Sequence, residues 1–257
     1  MLDKEQAAAV RRVKGPQMIL AGPGSGKTTV ITERVRYLTE ECHILPGEIL
    51  VVTFTKAAAA EMRSRYLRLT GAARSEVTFG TFHAVFFQIL KQAYHLSAGN
   101  ILREEMRFSI VRALVRKEVP SAEDENELVN GVLGEIGLIK NSGIDPANYY
   151  SVNCAAAAFR RIYAGYEEEK KKRRLFDFDD MLTETRRLLT EREDILFAWR
   201  RRFRYFLVDE FQDINQVQYE IVKLLAAPEN NLFIVGDDDQ SIYRFRGARP
   251  EIMLRFP

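Results

Sequence analysis

Cysteine is scarce in these 257 residues: Cys42 and Cys154 stand far apart, with no neighbouring Cys. That argues against a disulfide framework or a cysteine-based zinc site and fits reduced thiols in a cytosolic setting. The three histidines, His43, His83 and His95, lack metal-ligand spacing. No apolar run approaches the ~20 residues of a membrane span. Met1-Leu2-Asp3-Lys4-Glu5 is no signal peptide. The expected compartment is therefore the cytoplasm, with no membrane partner. An excess of one charge sign is missing too, since 38 basic and 36 acidic residues leave +2. This balance neither supports nor excludes nucleic acid, because a local basic face can sit on a neutral whole. A composition of 46% hydrophobic and 29% charged residues suits an ordered globular chain of one large domain or two modest ones.

What the sequence does have is a phosphate cradle near its start. Met18-Ile19-Leu20 reads as a buried strand, followed by Ala21-Gly22-Pro23-Gly24-Ser25-Gly26-Lys27-Thr28-Thr29 and then a helical pattern. Strand, glycine-rich loop and helix in that order let backbone N–H groups converge on phosphate oxygens at a helix N-terminus. Lys27 is placed to reach the β- and γ-phosphates and the Thr28 hydroxyl to ligate magnesium. Ala21 occupies a position where the strict motif has glycine.

Around the cradle, Leu2 to Val13 reads as an amphipathic helix with Asp3 as N-cap and Gly15-Pro16 as its stop. Thr28 to Thr39 is helical, Ile49 to Phe54 a second buried strand, and Lys56 to Leu69 a helix stopped by Gly71. Val77-Thr78-Phe79 forms a third strand that runs through Gly80-Thr81-Phe82-His83 into a helix over Ala84 to Tyr94. Such alternation implies a parallel sheet covered on both faces. From Asn100 to Arg202 only helical stretches follow, an all-helical insertion whose longest helix is Ala155 to Arg174. Its charge run pairs Glu167 with Lys171 and Glu168 with Lys172 at i,i+4, which favours a solvated helix face.

The sheet pattern resumes at Phe206-Leu207-Val208 and ends in Asp209-Glu210. Acidic residues at the carboxyl end of a buried strand lie where parallel sheets hold ligands. Asp209 is placed to hold magnesium through water, and Glu210 to deprotonate an attacking water. Leu232 to Gly236 is a further strand, and Gln240 beyond it is a candidate γ-phosphate sensor. A fresh helical stretch begins just before Pro257, which suggests a piece of a longer protein.

In order and nearly end to end, these motifs resemble the UvrD/Rep/PcrA group of superfamily 1 DNA helicases. Leu2 to Ala8 is similar to the family Q motif, in which Gln6 would read adenine. Ala21 to Thr28 matches the family phosphate loop, alanine included, and Arg34 matches an arginine near the nucleotide. Val208 to Asp213 looks like the second motif and Val235 to Ala248 like the third. The resemblance implies single-stranded DNA contacts at Thr53-Phe54-Thr55, at Thr81-Phe82-His83, and at Tyr243 and Phe245. Phe245 stands where the family usually has a stacking tryptophan, and Lys56-Ala57 replace its usual Asn-Lys.

The resemblance further implies a RecA-like P-loop NTPase fold of α/β class, formed by 1–85 and 204–257, with 86–203 as the helical insertion. It implies an ATP-dependent 3′→5′ helicase or translocase using ATP and Mg2+. Lys27, Asp209, Glu210 and Gln240 would form its catalytic set. Its partners would be single-stranded or partly duplex DNA and a second RecA-like half that supplies arginines to the γ-phosphate. A binding module completed by a partner, or the helicase subunit of a helicase–nuclease complex, are the alternatives. A reading frame that continues into arginine-bearing motifs would discard the module.

Overall fold

A computed structural model describes residues 2–22, 24–237 and 256. Five strands form one sheet: β1 (Gln17–Leu20), β2 (Ile49–Thr53), β3 (Thr78–Thr81), β4 (Tyr205–Val208) and β5 (Leu232–Gly236). Their order is β1-β5-β4-β2-β3, and every neighbouring pair is parallel. The α/β class with a parallel sheet is thus as the alternation implied. The central strands β2, β4 and β5 are buried throughout, because helices cover both faces. The outer strand β1 is not a fully buried strand as expected: Leu20 is 55% exposed.

On one face lie α1 (Lys4–Arg11), α2 (Lys27–Glu40) and α3 (Lys56–Thr70), sharing a core of Val35, Leu38, Met62, Leu207 and Val235. The helix α1 starts at Asp3 through a reciprocal capping box with Gln6. Its C-terminal residue is Arg11. Beneath the other face lie α4 (Phe82–Tyr94), α8 (Phe178–Glu191), α9 (Glu193–Arg202) and α10 (Gln216–Ala226). Phe86, Leu182, Trp199, Val217 and Ile234 are joined there in one core.

Helices α5 (Glu104–Glu118), α6 (Glu125–Ser142) and α7 (Ala156–Arg173) enclose a core of their own, from Leu102 to Tyr166. The helix expected to be longest there, α7, has 18 residues, as does α6. Chain enters and leaves this unit side by side. Leu102 N–H donates to Phe176 O at 2.8 Å and Phe176 N–H to Asn100 O at 2.8 Å.

The charge run of α7 is not a plain solvated face. Phe159, Ile162, Tyr166 and Lys170 fall on the buried stripe at helical spacing, so Lys170 is only 2% exposed. Glu167 pairs with Lys140 at 2.8 Å and Lys170 at 2.9 Å, while Lys172 does pair with Glu168 at 3.1 Å. Both buried ammonium groups converge on Asp177 and Asp180, the capping box of α8, at 2.6–3.0 Å. The carboxylates Glu167, Asp177 and Asp180 lie close enough to hold a metal. The two ammonium groups already supply the positive charge there, so they neutralise the cluster without one. This knot ties α6 and α7 to the helix that lies under the sheet.

Candidate functional site

The cradle is built as the sequence implied. Ala21 N–H donates to Gly236 O at 3.0 Å, which ties the loop to the end of β5. Gly24 (φ 73°) and Gly26 (φ 85°) take left-handed conformations that a side chain would strain. Gly26 is the N-cap of α2 and has no side chain to cap it, which leaves the first amides of that helix available to an anion. Lys27 opens α2. Its Nζ lies 3.1 Å from Glu210 Oε2 and 3.7 Å from Asp237 Oδ2. The loop, the end of β4 and the end of β5 thereby meet at one edge of the sheet.

Asp209 follows β4 directly and is 4% exposed, with its N–H bonded to Val52 O at 2.9 Å. Burial first, then the Glu210 charge, push its carboxyl up to about 6, against opposing pulls that include Lys27 and the Thr53 side chain. Its Oδ1 is buried without a hydrogen-bond partner. A buried carboxylate oxygen left bare costs free energy unless a cation or proton meets it. Together with the Thr28 hydroxyl across the loop, this donor set fits a hard divalent cation such as magnesium. Asp213 is likewise raised to about 6, by burial and then by Glu210.

Glu210 has left-handed backbone angles (φ 51°, ψ 44°), which are uncommon for a residue with a side chain. Its Oε2 also accepts from Gln212 Nε2 at 2.8 Å, and Gln212 Oε1 accepts from the Asp237 N–H at 3.0 Å. Gln212 and Asp237 were quoted within motifs but not singled out as site residues. Their distance in sequence hides the link that adjacent strand ends create. Arg65 was missed as well. Its guanidinium donates to Thr29 Oγ1 at 2.7 Å, and nothing local in the sequence of α3 signals it.

Gln6 reaches the loop, donating from Nε2 to Ser25 O at 2.9 Å while its Oε1 accepts from the Asp3 N–H. Arg34 has a different position from the one expected near a nucleotide. It is 2% exposed, lies over the Phe233 ring at 4.3 Å, and donates to the carbonyls of Ala9, Val10 and Val13. Burial lowers its pKa to about 10. These bonds occupy the guanidinium in holding the end of α1 against α2.

The residues expected at DNA divide by burial. Thr55 is exposed, Phe54 and His83 are partly so, and Thr53, Thr81 and Phe82 are buried. Phe82 belongs to the core, tilted against Phe54 at 5.2 Å between centroids. What reads as a loop at Gly80-Thr81-Phe82-His83 is no loop. Thr81 ends β3 and caps α4, accepting from Ala84 N–H at 3.2 Å. Thr55 caps α3 in the same way, accepting from Ala58 N–H at 3.1 Å. Two helix N-termini thus face the carboxyl edge of the sheet. Pro23, Gln240, Tyr243 and Phe245 lie outside the described residues.

Comparison with known proteins agrees with this geometry. A family model described as the UvrD/REP helicase N-terminal domain matches residues 2–257. YjcD of Bacillus subtilis strain 168 is 40% identical over 265 residues, covering 99% of this chain and 34% of the relative. The ATP-dependent DNA helicase PcrA is 35% identical in Staphylococcus aureus strain Mu50 and in B. subtilis, again over 99% of this chain. The chain spans 36% and 35% of those two proteins, about a third of their length.

Proposed function

This chain belongs to the UvrD/REP helicase N-terminal domain family, and on that footing we propose that it is the ATP-binding region of an ATP-dependent 3′→5′ DNA helicase or translocase. The observation that carries the reading is Lys27, set between Glu210 and Asp237 beside the bare Oδ1 of Asp209. Lys27 and the α2 amides bind the β- and γ-phosphates, and Gln6 sits where it steadies the loop. Thr28 and Asp209 would hold Mg2+, which when bound neutralises phosphate charge. Glu210 accepts the proton of the attacking water at its free carboxylate oxygen. Single-stranded DNA lies across the N-termini of α3 and α4, at Thr55, Phe54 and His83.

The proposed ATP-binding unit takes in residues up to 94 and from 178, wider than 1–85 and 204–257, because α4, α8 and α9 share the sheet's core. A second RecA-like half completes the nucleotide cleft, and outside arginines accelerate such transfers by ~10³–10⁵. The test is ATP binding and turnover by this chain, with and without single-stranded DNA. Magnesium-dependent binding that is lost in Lys27→Ala, with slow turnover abolished in Glu210→Gln, is the expected result. Absence of ATP binding would overturn the reading, and robust duplex unwinding by this chain alone would overturn the need for a second half.

A further inference from the structure

Two hollows flank the ridge made by the caps of α3 and α4, and they differ in charge. A groove of about 800 Å³ borders Gly80 and Thr81 and is lined by Lys56, Arg63 and Arg68 with no carboxylate. Across the ridge, a cavity of about 610 Å³ borders Phe54, Thr55 and His83, and is closed by α6 and the start of α8. Its lining carries three carboxylates, Glu104, Asp179 and Asp213, against the one guanidinium of Arg107. Arg107 is itself paired with Asp179 at 3.3 Å and Glu104 at 3.5 Å.

That charge disfavours a phosphate in the cavity, but it suits a flat group bearing amines. Phe178, the first residue of α8, is 46% exposed and meets the His83 ring edge-on at 5.6 Å. An aromatic ring this open offers a face on which a base can stack. Asp213 Oδ1, buried without a hydrogen-bond partner, supplies an acceptor in the same wall. The volume lies within the range of pockets that enclose small ligands.

We propose that this cavity is a nucleobase pocket: one base of the bound single strand stacks on Phe178 beside His83, while the backbone crosses the Thr55–Thr81 ridge toward Lys56, Arg63 and Arg68. The proposal rests on the reading that the chain binds single-stranded DNA. It assigns a base contact to the start of α8, beyond the ridge residues themselves. Stacking is sequence-tolerant, so the pocket takes any base and adds grip without sequence choice.

The experiment compares binding of an ordinary single-stranded oligonucleotide and a wholly abasic one of equal length, by anisotropy, for the full chain and for Phe178→Ala and Phe178→Tyr. Loss of one stacked base corresponds to about tenfold weaker binding. Phe178→Ala is expected to lose that factor for the ordinary strand only, with unchanged salt dependence, and Phe178→Tyr to retain the affinity. Equal binding of the ordinary strand by Phe178→Ala overturns the pocket and leaves the DNA reading standing. An equal loss on both strands overturns it too, as a fold or phosphate effect. Failure of the unaltered chain to bind either strand overturns the DNA reading and the pocket together.

Discussion

Glu210 Oε2 lies 3.1 Å from Lys27 Nζ, so the side chain that binds phosphate and the one that activates water hold each other. Nucleotide entry must exchange this ion pair for contacts to the β- and γ-phosphates. Glu210→Gln weakens the competitor without altering its shape. ATP is therefore expected to bind several-fold more tightly to the variant, while turnover falls by about 10²–10⁴ with loss of the base. Calorimetric titration and steady-state phosphate release read the two effects separately; weaker binding would contradict the exchange.

Arg34 joins α1 to α2 through three backbone carbonyls, none of which has another strong donor at hand once α1 has ended. Arg34→Met leaves those acceptors buried and bare. A loss of about 3 kcal/mol and a Tm lower by about 10 °C are expected. Thermal melting checks this. An unchanged Tm combined with lost ATP binding would return Arg34 to the nucleotide.

Lys140 and Lys170 balance Glu167, Asp177 and Asp180, two positive charges against three negative. The two ammonium groups and the Tyr166 hydroxyl hold Asp177 well below the usual carboxylate range despite its burial, and burial and the charge of Asp177 raise Asp180. Lys170→Met deepens the charge imbalance and is expected to cost about 3–5 kcal/mol. Adding Asp180→Asn restores the original net charge and should recover part of that loss. Urea melts of both single variants and the double measure the coupling; additive losses would show that the knot is not one unit.

His83 titrates below its ordinary value because burial disfavours the imidazolium, with Asp179 opposing weakly. A histidine with a lowered folded pKa takes up its proton first in the unfolded chain. Its contribution is therefore intact above about 6.5 and lost progressively as pH falls below it. Urea stability between pH 8 and 5 should decline for the chain, and the decline should be shallower in His83→Asn. An NMR midpoint for His83 at or above 6.5 would refute this.

The cradle and the strand–helix alternation were legible in the sequence by themselves, because both are local. Glycines at Gly24 and Gly26 dictate the turn, capping at Asp3, Thr55 and Asp177 dictates where helices start, and apolar period dictates which strands are buried. Asp209 and Glu210 were legible for the same reason, as the first polar residues after a buried strand. Tertiary structure decided what depends on partners far along the chain. Strand order set β5 between β1 and β4 and so brought Asp237 to Lys27. Packing turned Arg34 toward α1, placed Phe82 in the core, and drew Lys170 from an apparent surface run into a buried knot with Lys140. A charged side chain carries no mark in the sequence of whether water or a distant carboxylate will solvate it; only the folded neighbourhood settles that.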